Sequence, residues 1–506
     1  MKKALALILV LAMAMVFPAV SLNPDNSSEV PADATYKDTI TINSGAINFV
    51  DPFQTDNATH AKLYLSTHSR LLEKDIADNW KIVPGLAESY EWTSDNIIQF
   101  KLRDGVKFHN GETLTSDDVV FTFENILSLG NNAVKLNMIK NVEAVDSLTV
   151  SFTLENHNID FLSLVSETFC SICNRKACEA DAVDGPRIGT GPYYVTEFEP
   201  GDHVYTEKFK DYFGESTKTE HLYFVNIPEA STALIALQNG EIDISEIAPE
   251  DLDFVKEDNN IDYRQELSNG DYYLAFNTSK GITADENLRL AIAYAVDIED
   301  IVMFLGEGNE PASVHWGISM YGYDNSIQPY ERNLELAKEY LAKAFPDGNA
   351  KLTITCGNSL NAGIAQIIQA NCKEIGLDIQ VDTVEAAALT AMSKFSVAEH
   401  QAMIATIGWN SYGDDSRRAY YPNSNVNKSV LTDEEIMSLL DKASVEPDDA
   451  TRQELYHKVQ QICHEKCYYL PLAIGTNCYA FTKGLSGVQL APNGRDNYSY
   501  AYIIES

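Results

Sequence analysis

The chain has 506 residues, with 74 acidic side chains against 37 basic, a formal net charge of −37, 45% apolar residues and 10% aromatic ones. That length exceeds what one core fills, so two or three domains are expected. The acidity argues against nucleic acid as a partner and against direct adsorption to an anionic membrane, and it suits cationic or zwitterionic ligands better than polyanions. Its plainer meaning is solubility at a cell surface, with no part in ligand choice.

Met1, Lys2 and Lys3 precede an apolar run over residues 4–22, broken near its end by Pro18. A positive start and an apolar middle are the parts of a secretory signal, and the small residues Ala19 and Ser21 place cleavage after Ser21. The same run competes as a retained membrane anchor. No cysteine precedes Cys170, which leaves a lipid-modified cysteine anchor unsupported. Residues 22–37 are polar and read as a flexible tether.

Strand and helix signals then alternate, which defines an α/β class. Residues 38–43 alternate as a strand, and Phe49-Val50-Asp51-Pro52 reads as a structural turn. Within residues 84–125, a strand at 97–102 runs into the turn Arg103-Asp104-Gly105. A second turn is Phe108-His109-Asn110-Gly111, where His109 suits local hydrogen bonding better than metal. Thr115-Ser116-Asp117-Asp118 opens a helix through Val119, Val120, Phe121 and Phe123. Val150, Phe152 and Leu154 alternate in another strand, and residues 193–198 follow the rigid turn Gly189-Thr190-Gly191-Pro192.

Two segments have strand–helix–strand character. The first is a strand at 222–227, a helix through Ala230, Leu234 and Leu237 ended by Asn239-Gly240, and a strand restarting at 241–244. The second is a strand at 352–356, a helix carrying Ile364, Ile367, Ile368 and Ile375 on one face, and a strand at 377–384. Each implies a parallel pair with a right-handed crossover, and their separation suggests two α/β lobes. Residues 272–277 form a strand suited to cross between lobes, and a helix through Leu288, Ile292, Ala295 and Val296 begins the second. Residues 497–504 alternate aromatic and polar, as a closing strand returning to the first lobe would.

A strand at 402–407 ends in Gly408-Trp409-Asn410-Ser411-Tyr412-Gly413-Asp414-Asp415. Ligands of open α/β sheets bind beyond the carboxyl ends of strands. Trp409, Asn410, Tyr412, Asp414 and Asp415 combine a ring face, an amide, a phenol and two carboxylates. That set suits a small zwitterion. A solvated surface turn at Asp414-Asp415-Ser416-Arg417-Arg418 is the competing interpretation. Trp316, beside His315 and Gly317, is a further candidate pocket wall, with a core position as its alternative.

Eight cysteines in an exported chain invite disulfides. Cys170-x-x-Cys173 with Cys463-His464-x-x-Cys467 is a weak zinc pattern, and free thiols are the third possibility. Gly-x-Ser-x-Gly, His-Glu-x-x-His and phosphate-loop patterns are missing, and Gly189-x-Gly191 lacks the third glycine of a dinucleotide turn. Neither an enzyme nor a cofactor is expected.

Residues 84–125 closely resemble the signature of the family 5 solute-binding proteins, the extracytoplasmic receptors of ABC importers. Further matches are Gly189-Thr190-Gly191-Pro192-Tyr193, residues 236–243, Phe276-Asn277, residues 288–297 and the Gly408-Trp409 loop, in the family's order and spacing. The resemblance implies a two-lobed periplasmic-binding-protein-like (Venus flytrap) fold with an extra domain inserted in the first lobe. It implies lobe I at 38–76, 189–283 and 484–506, the extra domain at 77–188 and lobe II at 284–483. It also implies an exported monomer that binds a small molecule or peptide and docks a membrane permease served by an ATPase. In peptide-binding relatives an aspartate shortly after Gly-Trp holds the ligand's ammonium. Its ungapped counterpart here is Tyr412, and a one-residue gap moves the role towards Asp414. Nickel-binding relatives use a histidine near this place, and no histidine lies between His400 and His457. Oligosaccharide, nickel chelate, or a sensor or adhesin role are the alternatives.

Overall fold

The computed structural model describes residues 34–505 apart from 77, 79, 130, 131 and 349. The expected signal peptide at 1–21 and most of the tether at 22–37 lie outside the described residues. The last part of that tether is bound to the body. Tyr36 bridges Ile504, Lys37 N donates to the Ile503 carbonyl at 2.9 Å, and the Lys37 ammonium meets Asp243 at 2.7 Å.

Among the described residues, seven strands lie in the first third: β1 (Thr39–Asn43), β2 (Leu72–Asp75), β3 (Lys81–Pro84), β4 (Ala87–Ser94), β5 (Ile97–Leu102), β6 (Ile139–Asp146) and β7 (Thr149–Leu154). β4, β5, β7 and β6 form a separate antiparallel sheet in that order. The alternation expected of β5 holds, with Ile98, Phe100 and Leu102 buried between partly exposed neighbours. Phe100 and Phe152 meet edge to face at 5.6 Å between ring centres. The helix Ser116–Leu129 lays Val119, Phe123 and Ile126 on this core. Asp118 closes its first turn, accepting from Thr115 N at 2.9 Å and from the Thr115 hydroxyl at 3.0 Å. His109 pins the signature turn to the next motif. One ring nitrogen lies 3.1 Å from the Gly191 carbonyl and the other accepts from Gly189 N at 3.2 Å. Burial pushes its pKa down to about 4.

The remaining strands are β8 (Tyr193–Glu199), β9 (His203–Lys208), β10 (His221–Val225), β11 (Ile244–Ile247), β12 (Ile261–Phe276), β13 (Glu310–Pro311), β14 (Lys351–Cys356), β15 (Asp378–Thr383), β16 (Ala402–Gly408) and β17 (Tyr469–Thr482). With β1 they make one continuous sheet in the order β15-β14-β16-β12-β17-β11-β1-β10-β9-β8, with β13 pairing β17. The second strand–helix–strand unit forms as expected: β14 and β15 are adjacent and parallel. The first needs correction. β10 and β11 do not touch; β1 lies between them, parallel to both, so the crossover spans an inserted strand. The strand after Gly240 also starts later than expected, at Ile244. The expected closing strand at 497–504 is reduced to isolated bridges, Gln489 with Asn497, Ser486 with Tyr502 and Tyr36 with Ile504. Tyr498 of that segment turns into the core instead.

Among the described residues β12 and β17 are the longest antiparallel partners, and they run through both halves of the sheet. Burial holds the remaining elements to this frame. The helix Glu286–Ala295 packs Leu288, Ala291, Ile292 and Ala295 against Ile354, Ile404 and Leu470 in one core. All eight cysteines are buried free thiols, which corrects the disulfide expectation. Cys170 and Cys173 sit in the core of the four-stranded sheet, Cys463 and Cys467 in two other clusters. Burial pushes the Cys372 and Cys467 thiols up to about 12. Among the described residues no helix is long and apolar enough to cross a membrane.

Candidate functional site

The paired strands β12 and β17 lose register between Leu267 and Asp271. Residues 261–267 pair with 476–482, and 271–275 with 469–474, so the break separates two groups of strands. Gly270 is required there: a Cβ on it would lie 2.4 Å from the Ile407 carbonyl oxygen. Asn269, in the break, is buried and bonds in four directions. Its amide nitrogen donates to the Trp409 carbonyl (2.9 Å), its side-chain oxygen accepts from Ser319 N (2.8 Å), its backbone N donates to Pro492 O (2.8 Å), and its carbonyl accepts from Trp409 N (2.9 Å).

Asn269 thereby places the loop after β16. Trp409 is 1% exposed, and its indole nitrogen donates to Asp271 Oδ1 at 2.8 Å. The other oxygen of Asp271 meets His315 Nδ1 at 2.7 Å. Trp316 stacks near Trp409 at 6.4 Å between centres and packs on Tyr420 and Tyr456, taking the core position that was its alternative. Gly317 allows this approach, since a Cβ there would lie 2.7 Å from Trp409 Cβ. Asp415 is saturated. Its Oδ1 accepts from Asn410 Nδ2 (3.1 Å) and Arg418 Nε (2.7 Å), and its Oδ2 from Asn410 N (2.9 Å) and Arg418 Nη2 (2.6 Å). A carboxylate offers about four lone-pair sites, so no acceptor remains for a ligand ammonium. The same pairing raises the Arg418 pKa against the opposing effect of its burial.

Tyr412 leaves the loop in another direction. Its ring enters the core beneath the four-stranded sheet, with the Lys74 ammonium 5.6 Å from its centre. Burial pushes its phenol well above the ordinary range. Nearby, Ile159 N donates to Ser444 O at 3.3 Å and Arg452 approaches Asp160 at 3.8 Å. The side chain of Asp414 lies outside the described residues. The structure thus brings Trp409, Trp316, Asn410 and Asp415 into one packed assembly, and sends Tyr412 across to the opposite core.

Beside the register break lies a cavity of about 620 Å³. Gly408 is on its wall, whereas Trp409, Asn410, Tyr412, Asp415 and Trp316 are not. Its walls are the ends of β1 (Asn43, Ser44), β10 (Asn226, Ile227) and β11 (Glu246), the start of the helix Ala58–Thr67, the break itself, and the 492–494 loop. Asn43 ties three of these strand ends together: its Nδ2 donates to Ser245 Oγ at 3.0 Å and its Oδ1 accepts from Ile227 N at 2.9 Å. Lys62 and Glu246 are the charged side chains among the described lining residues. This wall carries no contiguous motif in the sequence, although one signal for it exists. β1, β10 and β11 are parallel, and the cavity sits beyond their carboxyl ends, where the rule applied to β16 also points. Seeing it needed the knowledge that the three strands are neighbours.

Two α/β groups joined by two shared strands, with a cavity on the seam, define a solute-binding protein of the two-lobed periplasmic type. The chain belongs to the bacterial extracellular solute-binding proteins, family 5, whose middle-region model matches residues 81–429. It is 25% identical over 494 residues to the dipeptide-binding protein of Escherichia coli K12, covering 89% of this chain and 91% of that one. It is 27% identical to heme-binding protein A of Haemophilus influenzae, covering 87% of each. The crystal structure of the ABC transporter substrate-binding protein CtaP from Listeria monocytogenes superposes with a TM-score of 0.83 at 25% identity, over 93% of this chain and 100% of that one.

Proposed function

We propose that this chain is the extracytoplasmic receptor of an ABC importer, taking a small peptide or similar zwitterionic solute into the seam cavity and delivering it unaltered to a membrane permease. The observation that carries this is the cavity itself. Its volume of about 620 Å³ falls in the usual range for small-molecule sites, and its wall offers one cation, one anion and several amides. The similarity to a dipeptide-binding protein points to the same cargo class. On this reading the protein is an exported monomer without catalytic activity, and ATP hydrolysis belongs to other subunits. Lobe I comprises 38–76, 189–283 and 484–506, the extra domain 77–188 and lobe II 284–483, with β17 shared between the lobes.

Opening would hinge at Ser268–Gly270 and the facing Gly475. Ligand shifts the equilibrium by its differential affinity for the closed form. Tyr412, Trp409, Asn410, Asp414, Asp415 and Trp316 then act as the closing wall: Tyr412 docks on the opposite core, and the others set the shape that presents Gly408 to the ligand. Mass spectrometry of solutes released by denaturing the purified protein tests the function. Peptide masses are expected. Release of no solute, together with no thermal shift on adding di- and tripeptides, would sink the proposal.

A further inference from the structure

We propose that Lys62 is the anchor for a carboxylate of the solute, so that the seam cavity selects ligands by a free carboxylate end; this rests on the receptor reading above. The helix Ala58–Thr67 aims its first turn at the cavity, with Ala58, Thr59 and Lys62 all on the wall. Asn57 caps it, its side chain accepting from His60 N at 2.9 Å. The amides of Ala58 and Thr59 have no acceptor within the helix. The positive end of the helix therefore faces the cavity, a setting that favours an anion.

Lys62 supplies the independent observation. Its side chain is 7% exposed, yet its ammonium has a single partner among the described residues, Asp496 Oδ2 at 3.5 Å. That is longer than the ordinary N–H···O bond of about 2.7–3.2 Å. Asp496 is meanwhile served by Ala491 N at 2.9 Å and by the hydroxyls of Tyr498 at 3.2 Å and Tyr479 at 3.3 Å. An ammonium carries three donors; Lys62 Nζ is not itself a buried orphan atom, so the donors that Asp496 does not use open to the cavity. A carboxylate in the cavity supplies acceptors for them. Lys62 is also the one cationic side chain among the described lining residues, so no rival cation competes for that end of a ligand. Glu246, on the end of β11, is left for the opposite charge.

The test offers the full chain two synthetic pools of alanyl di- and tripeptides, identical except that one has free C-terminal carboxylates and the other C-terminal amides. Retained masses are read by native mass spectrometry. We expect the acid pool to be retained ~10-fold or more over the amide pool, and a folded Lys62→Met variant to lose that preference while Lys62→Arg keeps it. Equal retention of both pools by the unaltered protein overturns the carboxylate anchor and leaves the receptor standing. Retention of neither pool overturns the peptide receptor and the anchor with it. A folded Lys62→Met variant that still prefers acids overturns the assignment to Lys62. If Lys62→Met does not fold, a Lys62→Met, Asp496→Asn double variant, which strands no buried charge, carries the same comparison: loss of the acid preference is expected, and its retention overturns the assignment to Lys62.

Discussion

The wall at the ends of β1, β10 and β11 and the loop after β16 are both rich in polar side chains, and they hold them in opposite ways. In the loop, Asp415 spends both oxygens on Asn410 and Arg418, and Trp409 and His315 share Asp271. On the strand-end wall, the Lys62 ammonium holds one long ion pair, to Asp496 at 3.5 Å, and Glu246 is exposed. A cluster whose carboxylates are spent on internal partners sets shape, even with His315 Nε2 left unpaired, whereas an ammonium with donors to spare at a cavity is ready to bind. A conspicuous motif is thus not by itself a contact surface.

Acid should break this comparison most strongly. Burial pushes His60 and His109 down to about 4 and His68 to about 3. The unfolded chain then binds more protons than the folded one below the ordinary histidine value near 6.5. Their contribution is complete above about pH 6.5 and is lost as the pH falls towards 4. His60 lies on the helix that carries Lys62, and His68 caps its end. We expect urea unfolding at pH 4.5 to show stability lower than at pH 7 by on the order of 5 kcal/mol. Equal stabilities would show that these rings are not held neutral. Next in size, Trp409→Ala should cost about 4 kcal/mol of folding stability, as deletion of a buried aromatic does. Weakened ligand binding at unchanged stability would instead make Trp409 a contact residue and dissolve the contrast.

Asp415→Ala should cost about 2 kcal/mol by denaturant titration. It strands Arg418, but that side chain keeps 34% exposure, which softens the loss relative to a fully buried pair. Rescue by Arg418→Ala in the same background would confirm the pairing. The smallest effect is expected for Glu246→Gln: a loss of at most about 1 kcal/mol in peptide affinity by calorimetry, because the carboxylate is exposed and screened. A larger loss would move the ligand's positive end onto Glu246 more firmly than its exposure suggests.

The local elements were legible from the residues alone. The alternation of β5, the Thr115–Asp118 helix start and the β14–β15 unit follow from periods of two and 3.6 residues and from short-range hydrogen bonds, all set within a few positions. The family resemblance at residues 84–125 was equally readable, because its motif is contiguous. Tertiary structure alone decided that β1 enters between β10 and β11, that β17 runs beside β12 where the two groups of strands join, and that Trp316 packs near Trp409. It alone set Lys62 beside the strand ends of residues 43 and 226 on one cavity wall. Such neighbours are separated by tens to hundreds of residues, and which strand lies beside which depends on competition among all the buried faces at once. No local period encodes that outcome.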